Sequence, residues 1–169
     1  MINVFCLPRK RDFLSIREND DTFLVYDASN TGGVFPRNTV KSLFEDDRGD
    51  IWIGTWNGGL YRYEKKTGKY WKYPRMNSGN SAHVVFQDSY KNIWVGTWGS
   101  GLHLLHNAYD PERTTWTTFT HNEKQPYTIS DNLIYAISED VNTHSLWVGT
   151  RSGLSYSSLT EWTDLFFRV

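Results

Sequence analysis

The chain has 169 residues, 18 basic and 19 acidic, with a formal net charge of -1. That balance lacks the electrostatic footprint by which proteins hold nucleic acid or an anionic membrane surface. The single cysteine, Cys6, rules out a disulfide within the chain, and no apolar run approaches the roughly 18 residues of a membrane-spanning helix.

The length suits one domain with a core of its own. Mean hydropathy is -0.58. The unusual figure is an aromatic content of 16%, with 8 Trp. Val, Ile, Thr and aromatics fill the chain, a strand composition rather than a helical one. The opening MINVFCLPRKRDF has too short an apolar core for a secretion signal, so an export signal is expected outside this stretch.

In chain order, residues 1–37 read as a partial unit. DFLSIRE (12–18) is expected as a second strand and TFLVYDASN (22–30) as a third, without a first strand and without the motif that follows. That motif is then written three times: IWIGTWNGGL (51–60), IWVGTWGSGL (93–102) and LWVGTRSGL (146–154). Trp52, Trp94 and Trp147 are separated by 42 and 53 residues. The longer interval holds the insert HNEKQPYTIS (121–130) and one extra residue in VNTHS (141–145).

Each unit divides into four expected strands. The first is VKSLFED, AHVVFQD or IYAISED, and a polar turn follows. The second is IWIGT, IWVGT or LWVGT; a glycine-bearing turn leads to the third, LYRYE, LHLLH or LSYSS. The fourth carries the pairs Tyr70 and Tyr73, Trp116 and Phe119, Trp162 and Leu165. Residues alternate with period two, as strands require. Four short antiparallel strands per unit of this length define an all-β fold of β-propeller blades. The boundaries are 1–37 (partial blade), 38–79, 80–130 and 131–169, within one domain. Three good blades and a partial one stand at the lower limit for a closed ring. Open blade edges favour completion by association, and a homodimer is expected.

DDRGDIWIGTWNGGLYRYEKKTGKY, DSYKNIWVGTWGSGL and SDNLIYAISEDVNTHSLWVGTRSGL together resemble the two-component regulator propeller repeat, over roughly residues 38–165. The resemblance implies a sensor region of a hybrid two-component system of the Bacteroides type. Such regions are periplasmic and sense oligosaccharides. The chain carries neither a kinase motif nor a nucleotide loop, and the family's sensor regions have many more blades. The expectation is therefore a fragment of a sensor, without catalytic residues, cofactor or metal.

Trp52, Trp94 and Trp147 sit mid-strand among apolar neighbours and are expected to pack between blades. Gly54, Gly96 and Gly149 are expected to let blades approach closely. Thr55, Thr97 and Thr150 are expected to bond to a neighbouring blade. Trp56 and Trp98 differ: each stands at the turn after the second strand, and Arg151 takes that place in the third unit. Those turns converge on one face, where two aromatics and an arginine suit a carbohydrate or carboxylate ligand by stacking and by bidentate hydrogen bonds. Asn57 in the first turn, and His121 and Tyr127 in the 121–130 insert, complete the expected ligand face; PRMNSGNSA (74–82) and FPRNT (35–39) border it. Burial between blades is the competing reading of Trp56 and Trp98.

The acidic residues Glu45, Asp46, Asp47, Asp88, Glu139 and Asp140 recur at the first hairpin, on the opposite face, and are expected to bond to their turns. The five histidines form no metal motif. A propeller enzyme of the lyase or glycosidase kind would need an acid and a base on the ligand face. A self-associating scaffold without small ligand would need only exposed blade faces.

Overall fold

The computed structural model describes residues 39–74, 81–160 and 166–169, together with the backbone of residues 4–7, 13–17 and 23–26. All regular elements among them are strands. Strands β1 (Val4–Leu7), β2 (Phe13–Arg17) and β3 (Phe23–Tyr26) form a first, three-stranded sheet. The second sheet is β4 (Val40–Glu45), β5 (Ile51–Thr55), β6 (Gly59–Glu64) and β7 (Lys69–Lys72). The third is β8 (Ala82–Gln87), β9 (Ile93–Thr97), β10 (Leu102–His106) and β11 (Thr115–Phe119). The fourth is β12 (Ile134–Asp140), β13 (Ser145–Thr150), β14 (Gly153–Ser158) and β15 (Phe167–Arg168). Every sheet is an antiparallel meander in sequence order. The expected all-β propeller class is what the structure shows, and the first three strands of each repeated unit fall where the sequence places them.

The hairpins form for local reasons. Gly49, Lys91 and His144 hold positive φ, of 82°, 71° and 50°, in the first turn of each four-stranded sheet, the conformation that tight hairpins demand. Asp46 and Asp88 cap these turns by accepting backbone N–H groups from Asp50 and Asn92, each at 2.9 Å. Asp140 accepts from Asn142 N at 3.0 Å. For these three aspartates the acidic recurrence is turn chemistry; Glu45 instead pairs with Lys65 at 2.7 Å, Asp47 accepts from Gln87 Nε2 at 2.8 Å, and Glu139 accepts from Ser89 N and Oγ across to the third sheet.

Alternation then divides each strand between two neighbours. Ile51, Ile53 and Tyr61 form a cluster with Val40 on one face of the second sheet. Trp52 and Leu60, on the other face, pack with Ala82, Val85, Ile93 and Val95 of the third sheet. The pattern repeats one step on: Trp94 and Leu102 pack with Ile134, Ile137, Leu146 and Val148 of the fourth sheet. The core is a series of seams between sheets. A cavity of about 110 Å³ remains in the second seam, lined by Trp94, Leu104, His106, Phe119, Leu146 and Phe166 among others.

Gly54 and Gly96 lie where the seams are tightest. A Cβ on Gly54 would stand 2.8 Å from the Ala82 carbonyl oxygen, and one on Gly96 would stand 2.5 Å from Ile134 Cγ2. Gly149 differs: its nearest neighbour is Ala136, in its own sheet, at 3.5 Å.

Four expectations need correction. Residues 13–17 and 23–26 are not second and third strands. β1, β2 and β3 begin 47, 46 and 46 residues before β5, β6 and β7, and β1 approaches β4 as β5 approaches β8 and β9 approaches β12. They occupy the second, third and fourth positions. VFCL lacks the Trp-Gly-Thr motif, which hid it as a strand. Next, the last sheet's fourth strand is Phe167–Arg168; Trp162 and Leu165 lie outside the described residues. Then, the threonines bond within their own turns, not across blades. Thr55, Thr97 and Thr150 Oγ1 donate to the carbonyls of Gly59, Gly101 and Gly153 at 2.8, 2.7 and 2.9 Å, because the glycine at or just before the start of β6, β10 or β14 presents its oxygen there. Finally, Trp147 is only half-buried, whereas Trp52 and Trp94 are 0% and 4% exposed; no further sheet of this chain covers it among the described residues.

Candidate functional site

The turns that follow the second strands lie together by a repeated backbone device. Trp56 N donates to Thr39 O at 2.8 Å, Trp98 N to Ser81 O at 3.2 Å and Arg151 N to Leu133 O at 3.0 Å. The residue after each second strand is thereby fastened to the residue just before, or nearly before, the first strand of its own sheet. Trp98 additionally forms an antiparallel bridge with Leu133, which joins the third sheet to the fourth.

A second device places side chains beside these turns. Each first strand slips register once, between Val40 and Ser42, Ala82 and Val84, and Ile134 and Ala136. The extra residues are Lys41, His83 and Tyr135. A bulge leaves its extra residue outside the ladder and re-aims its side chain. Here all three occur at the same position of the repeat, next to the ends of β5, β9 and β13.

The result is a row of rings. Trp56 and Trp98 meet edge to face with centroids 5.4 Å apart. Trp98 meets Tyr135 edge to face at 5.7 Å. His83 lies 5.1 Å from Trp98 and 6.0 Å from Tyr135. Lys41 Nζ stands 5.3 Å from the Trp56 ring, within cation–π range. Trp98 is 41% exposed and Tyr135 47%, so the row is open rather than sealed between sheets. Burial, reinforced by the Lys41 charge, holds the His83 pKa below its ordinary value, which keeps this ring neutral at pH 7.

Arg151 holds the third turn by the same backbone bond, but its side chain is engaged. Its Nε donates to Asp131 Oδ2 at 3.1 Å, and Ser152 Oγ donates to the same oxygen at 2.7 Å. Burial disfavours the Asp131 charge, but the bonds from Ser152 and Leu133 N and the Arg151 charge outweigh it and hold the pKa low. Arg151 is therefore a positioned cation, with most of its side chain in solvent.

The remaining expected ligand residues fall in different places. Asn57 adopts φ of 58° in its turn, and its N–H and Oδ1 both engage Ser81 Oγ, at 3.0 and 3.2 Å. It ties the second sheet to the third beneath Trp56. His121 borders the row: its N–H donates to Asn132 Oδ1 at 2.7 Å, and Asn132 O accepts from Gly99 and Gly101 N, in the turn after Trp98. Its Nδ1 contacts Ile129 O at 2.8 Å. Tyr127 meets Phe167 edge to face at 5.5 Å and has no ring contact with Trp56 or Trp98 among the described residues. Arg168 clamps the same insert, through bonds to Thr128 O, Thr128 Oγ1, Asn122 O and Gln125 O. Most of PRMNSGNSA and FPRNT lies outside the described residues.

Sequence reasoning placed Trp56, Trp98 and Arg151 at these turns but did not single out Lys41, His83 and Tyr135 beside them. The missed signal is an odd step within the first strands. Ala82 and Val85 are both buried, as are Ile134 and Ile137, three residues apart. Strict alternation puts residues three apart on opposite faces; only an inserted residue reconciles them.

Stacked antiparallel meanders, joined through Trp-bearing second strands, define a β-propeller fold. The family model for the two component regulator propeller matches residues 35–57 and 78–99. Those stretches contain β4 and β5, and β8 and β9, so two of the repeated units match that repeat model. No curated protein matches it. Among solved structures it is similar to the extracellular domain of the hybrid two component system BT3049 from B. thetaiotaomicron. The two are 23% identical with a TM-score of 0.65, over 80% of this chain and 19% of that one. It is similar to PorZ, a surface component of the type-IX secretion system of Porphyromonas gingivalis, at 18% identity and a TM-score of 0.58, over 91% of this chain and 25% of that one. Virginiamycin B lyase from Staphylococcus aureus shares 17% identity and a TM-score of 0.67, over 93% and 48%. At these identities the likeness is one of fold. The chain spans about one fifth of the length of the first of these structures. None of the helical segments that would cross a membrane is found among the described residues.

Proposed function

We propose that this chain is a non-catalytic, ligand-binding propeller module of the extracytoplasmic sensor kind, and that its ligand is an oligosaccharide held across the Trp56–Trp98 row. The observation that carries this reading is the threefold bulge. It sets Lys41, His83 and Tyr135 beside Trp56, Trp98 and Arg151 at one repeated position. A packing device has no need to expose its rings, yet Trp98 and Tyr135 are open to solvent. Apolar ring faces stack on the C–H faces of sugars, while neutral His83, the Tyr135 hydroxyl, Lys41 and Arg151 supply hydrogen bonds at the edges. The repeat family and the extracellular neighbour support an extracytoplasmic sensing role.

The test is a binding screen of neutral and acidic oligosaccharides by titration calorimetry. The wild-type chain binds at least one class, and the double variant Trp56→Ala, Trp98→Ala loses that binding while keeping its β-sheet circular dichroism. Undiminished binding by a folded double variant would place the ligand elsewhere.

A further inference from the structure

Three consecutive residues, Asp131, Asn132 and Leu133, lead into β12 and fasten the turns on both sides. Leu133 forms the bridge with Trp98, and its carbonyl accepts from Arg151 N at 3.0 Å. The Asp131 carboxylate accepts from Arg151 Nε and Ser152 Oγ. The Asn132 carbonyl accepts from Gly99 N at 3.1 Å and from Gly101 N at 3.0 Å, in the turn after Trp98. That turn is tightly seated: a Cβ on Gly101 would overlap Phe119 O. Two residues past Leu133, the bulge presents Tyr135. One short stretch of backbone thus sets Trp98, Tyr135 and Arg151.

The same stretch is tied to the 121–130 insert, because Asn132 Oδ1 accepts the His121 N–H at 2.7 Å. The insert is itself a braced body. Ile129 is fully buried in the second seam, Ser130 N donates to Ser155 Oγ at 2.9 Å, and Phe166 N donates to Tyr127 O at 3.2 Å. Asn122 N donates to Thr128 Oγ1 at 3.1 Å, and the Arg168 guanidinium gathers Asn122, Gln125 and Thr128 together. A contiguous chain of bonds therefore runs from Arg168 through Asn122 and His121 to Asn132, and from there to the Trp98 turn. Packed and hydrogen-bonded chains of this kind carry energetic coupling between separate sites.

We propose that Asn132 is a positioning residue of the ring row. Its carbonyl holds the Trp98 turn, its side chain holds the insert, and the insert thereby sets the stance of Trp98. Coupling between two sites is reciprocal, so a ligand that fixes Trp98 also fixes the insert. The ligand half of this inference rests on the oligosaccharide reading; the coupling between insert and turn stands without it.

The Trp98 indole N–H signal, read by two-dimensional NMR without ligand, tests the coupling. Arg168→Ala removes a clamp whose side-chain bonds, among the described residues, go to the insert and to none of the row. It is expected to move the Trp98 signal and leave that of Trp52 in place. In the Asn132→Ala background the same change is expected to leave Trp98 in place, whereas Asn132→Asp, which keeps the acceptor oxygen, is expected to preserve the response. An unmoved Trp98 signal in Arg168→Ala, or an equal shift in the Asn132→Ala background, overturns the proposal. Should Asn132→Ala fail to fold, amide exchange in Arg168→Ala alone decides it. Faster exchange is expected at His121, Gly99 and Gly101 together, and acceleration confined to the insert overturns the coupling. Maltoheptaose and hexagalacturonate serve as neutral and acidic probes of the ligand half. Asn132→Ala is expected to weaken whichever binds the wild-type chain by about fivefold; unchanged affinity overturns that half. Binding of neither probe overturns it together with the oligosaccharide reading, while the indole signals still decide the coupling.

Discussion

The Asp88 carboxylate accepts the indole N–H of Trp94, six residues further along, at 2.8 Å. Asp46 accepts that of Trp52 at the same distance. Each aspartate thus caps its hairpin and fixes the tryptophan that fills the seam. Asp46 also accepts from Tyr109 Oη at 3.0 Å, across to the third sheet. Removing such an acceptor strands a buried indole N–H and at least one backbone N–H. Asp88→Ala is expected to cost about 3 kcal/mol and Trp94→Phe about 1–2 kcal/mol, read from urea midpoints. A loss below about 0.5 kcal/mol for Asp88→Ala would deny the pairing its role.

Gly96→Ala tests the seam geometry. The new Cβ would stand 2.5 Å from Ile134 Cγ2 and 2.6 Å from Val84 Cγ1, so the sheets must part. Overpacking of this kind costs about 1–3 kcal/mol. Gly68, in the β6–β7 turn, has open space around it, and its alanine variant is expected to cost less, about 1 kcal/mol from its φ of 70° alone. Thermal melts of the two variants give the order directly.

Stability is expected to fall as pH drops from about 6.5 to about 4, in part through His103. Its ring is fully buried, contacts Thr118 Oγ1 at 3.0 Å through Nδ1, and has its pKa pushed down by burial from 6.5 to about 4. The unfolded chain binds the extra proton between those values, so the contribution is complete above pH 6.5 and lost on the way down. One such group changes stability by at most about 1.4 kcal/mol per pH unit. His103→Leu is expected to flatten the difference between denaturation midpoints at pH 7 and pH 4.5. An unchanged slope would mean that the ring is protonated in place.

The strand plan was legible because alternation, turn residues and a thrice-written motif all point the same way at Ile51–Thr55, Ile93–Thr97 and Ser145–Thr150. The hairpin aspartates were legible for the same reason. The bulges were not, because an inserted residue breaks alternation without announcing which residue is extra; Lys41, His83 and Tyr135 share a position but no chemistry. Val4–Leu7 was missed because a strand without the motif is a four-residue apolar run like any other. Arg151 was seen, but not its engagement by Asp131, since that partner lies 20 residues away in another connection.

The ring row makes a further prediction about its charged end. Lys41→Ala removes the cation beside Trp56 without touching the exposed Trp98–Tyr135 contact. It is expected to weaken an acidic oligosaccharide about tenfold and a neutral one by less than about threefold, in line with the 0.5–1 kcal/mol of an exposed cation–π pair and the added loss of charge attraction. Calorimetry with both ligand classes separates the two effects; equal losses would show that Lys41 acts only by supporting Trp56.

The central claim is that the turn tryptophans, and not the seam tryptophans, meet the ligand. Indole N–H resonances, followed by two-dimensional NMR during titration with an oligosaccharide, read both sets in one experiment. The account predicts that the Trp56 and Trp98 signals move in a saturable way while Trp52 and Trp94, bonded to Asp46 and Asp88, stay in place. Movement confined to the seam signals, or still Trp56 and Trp98 signals at saturating sugar, would contradict it.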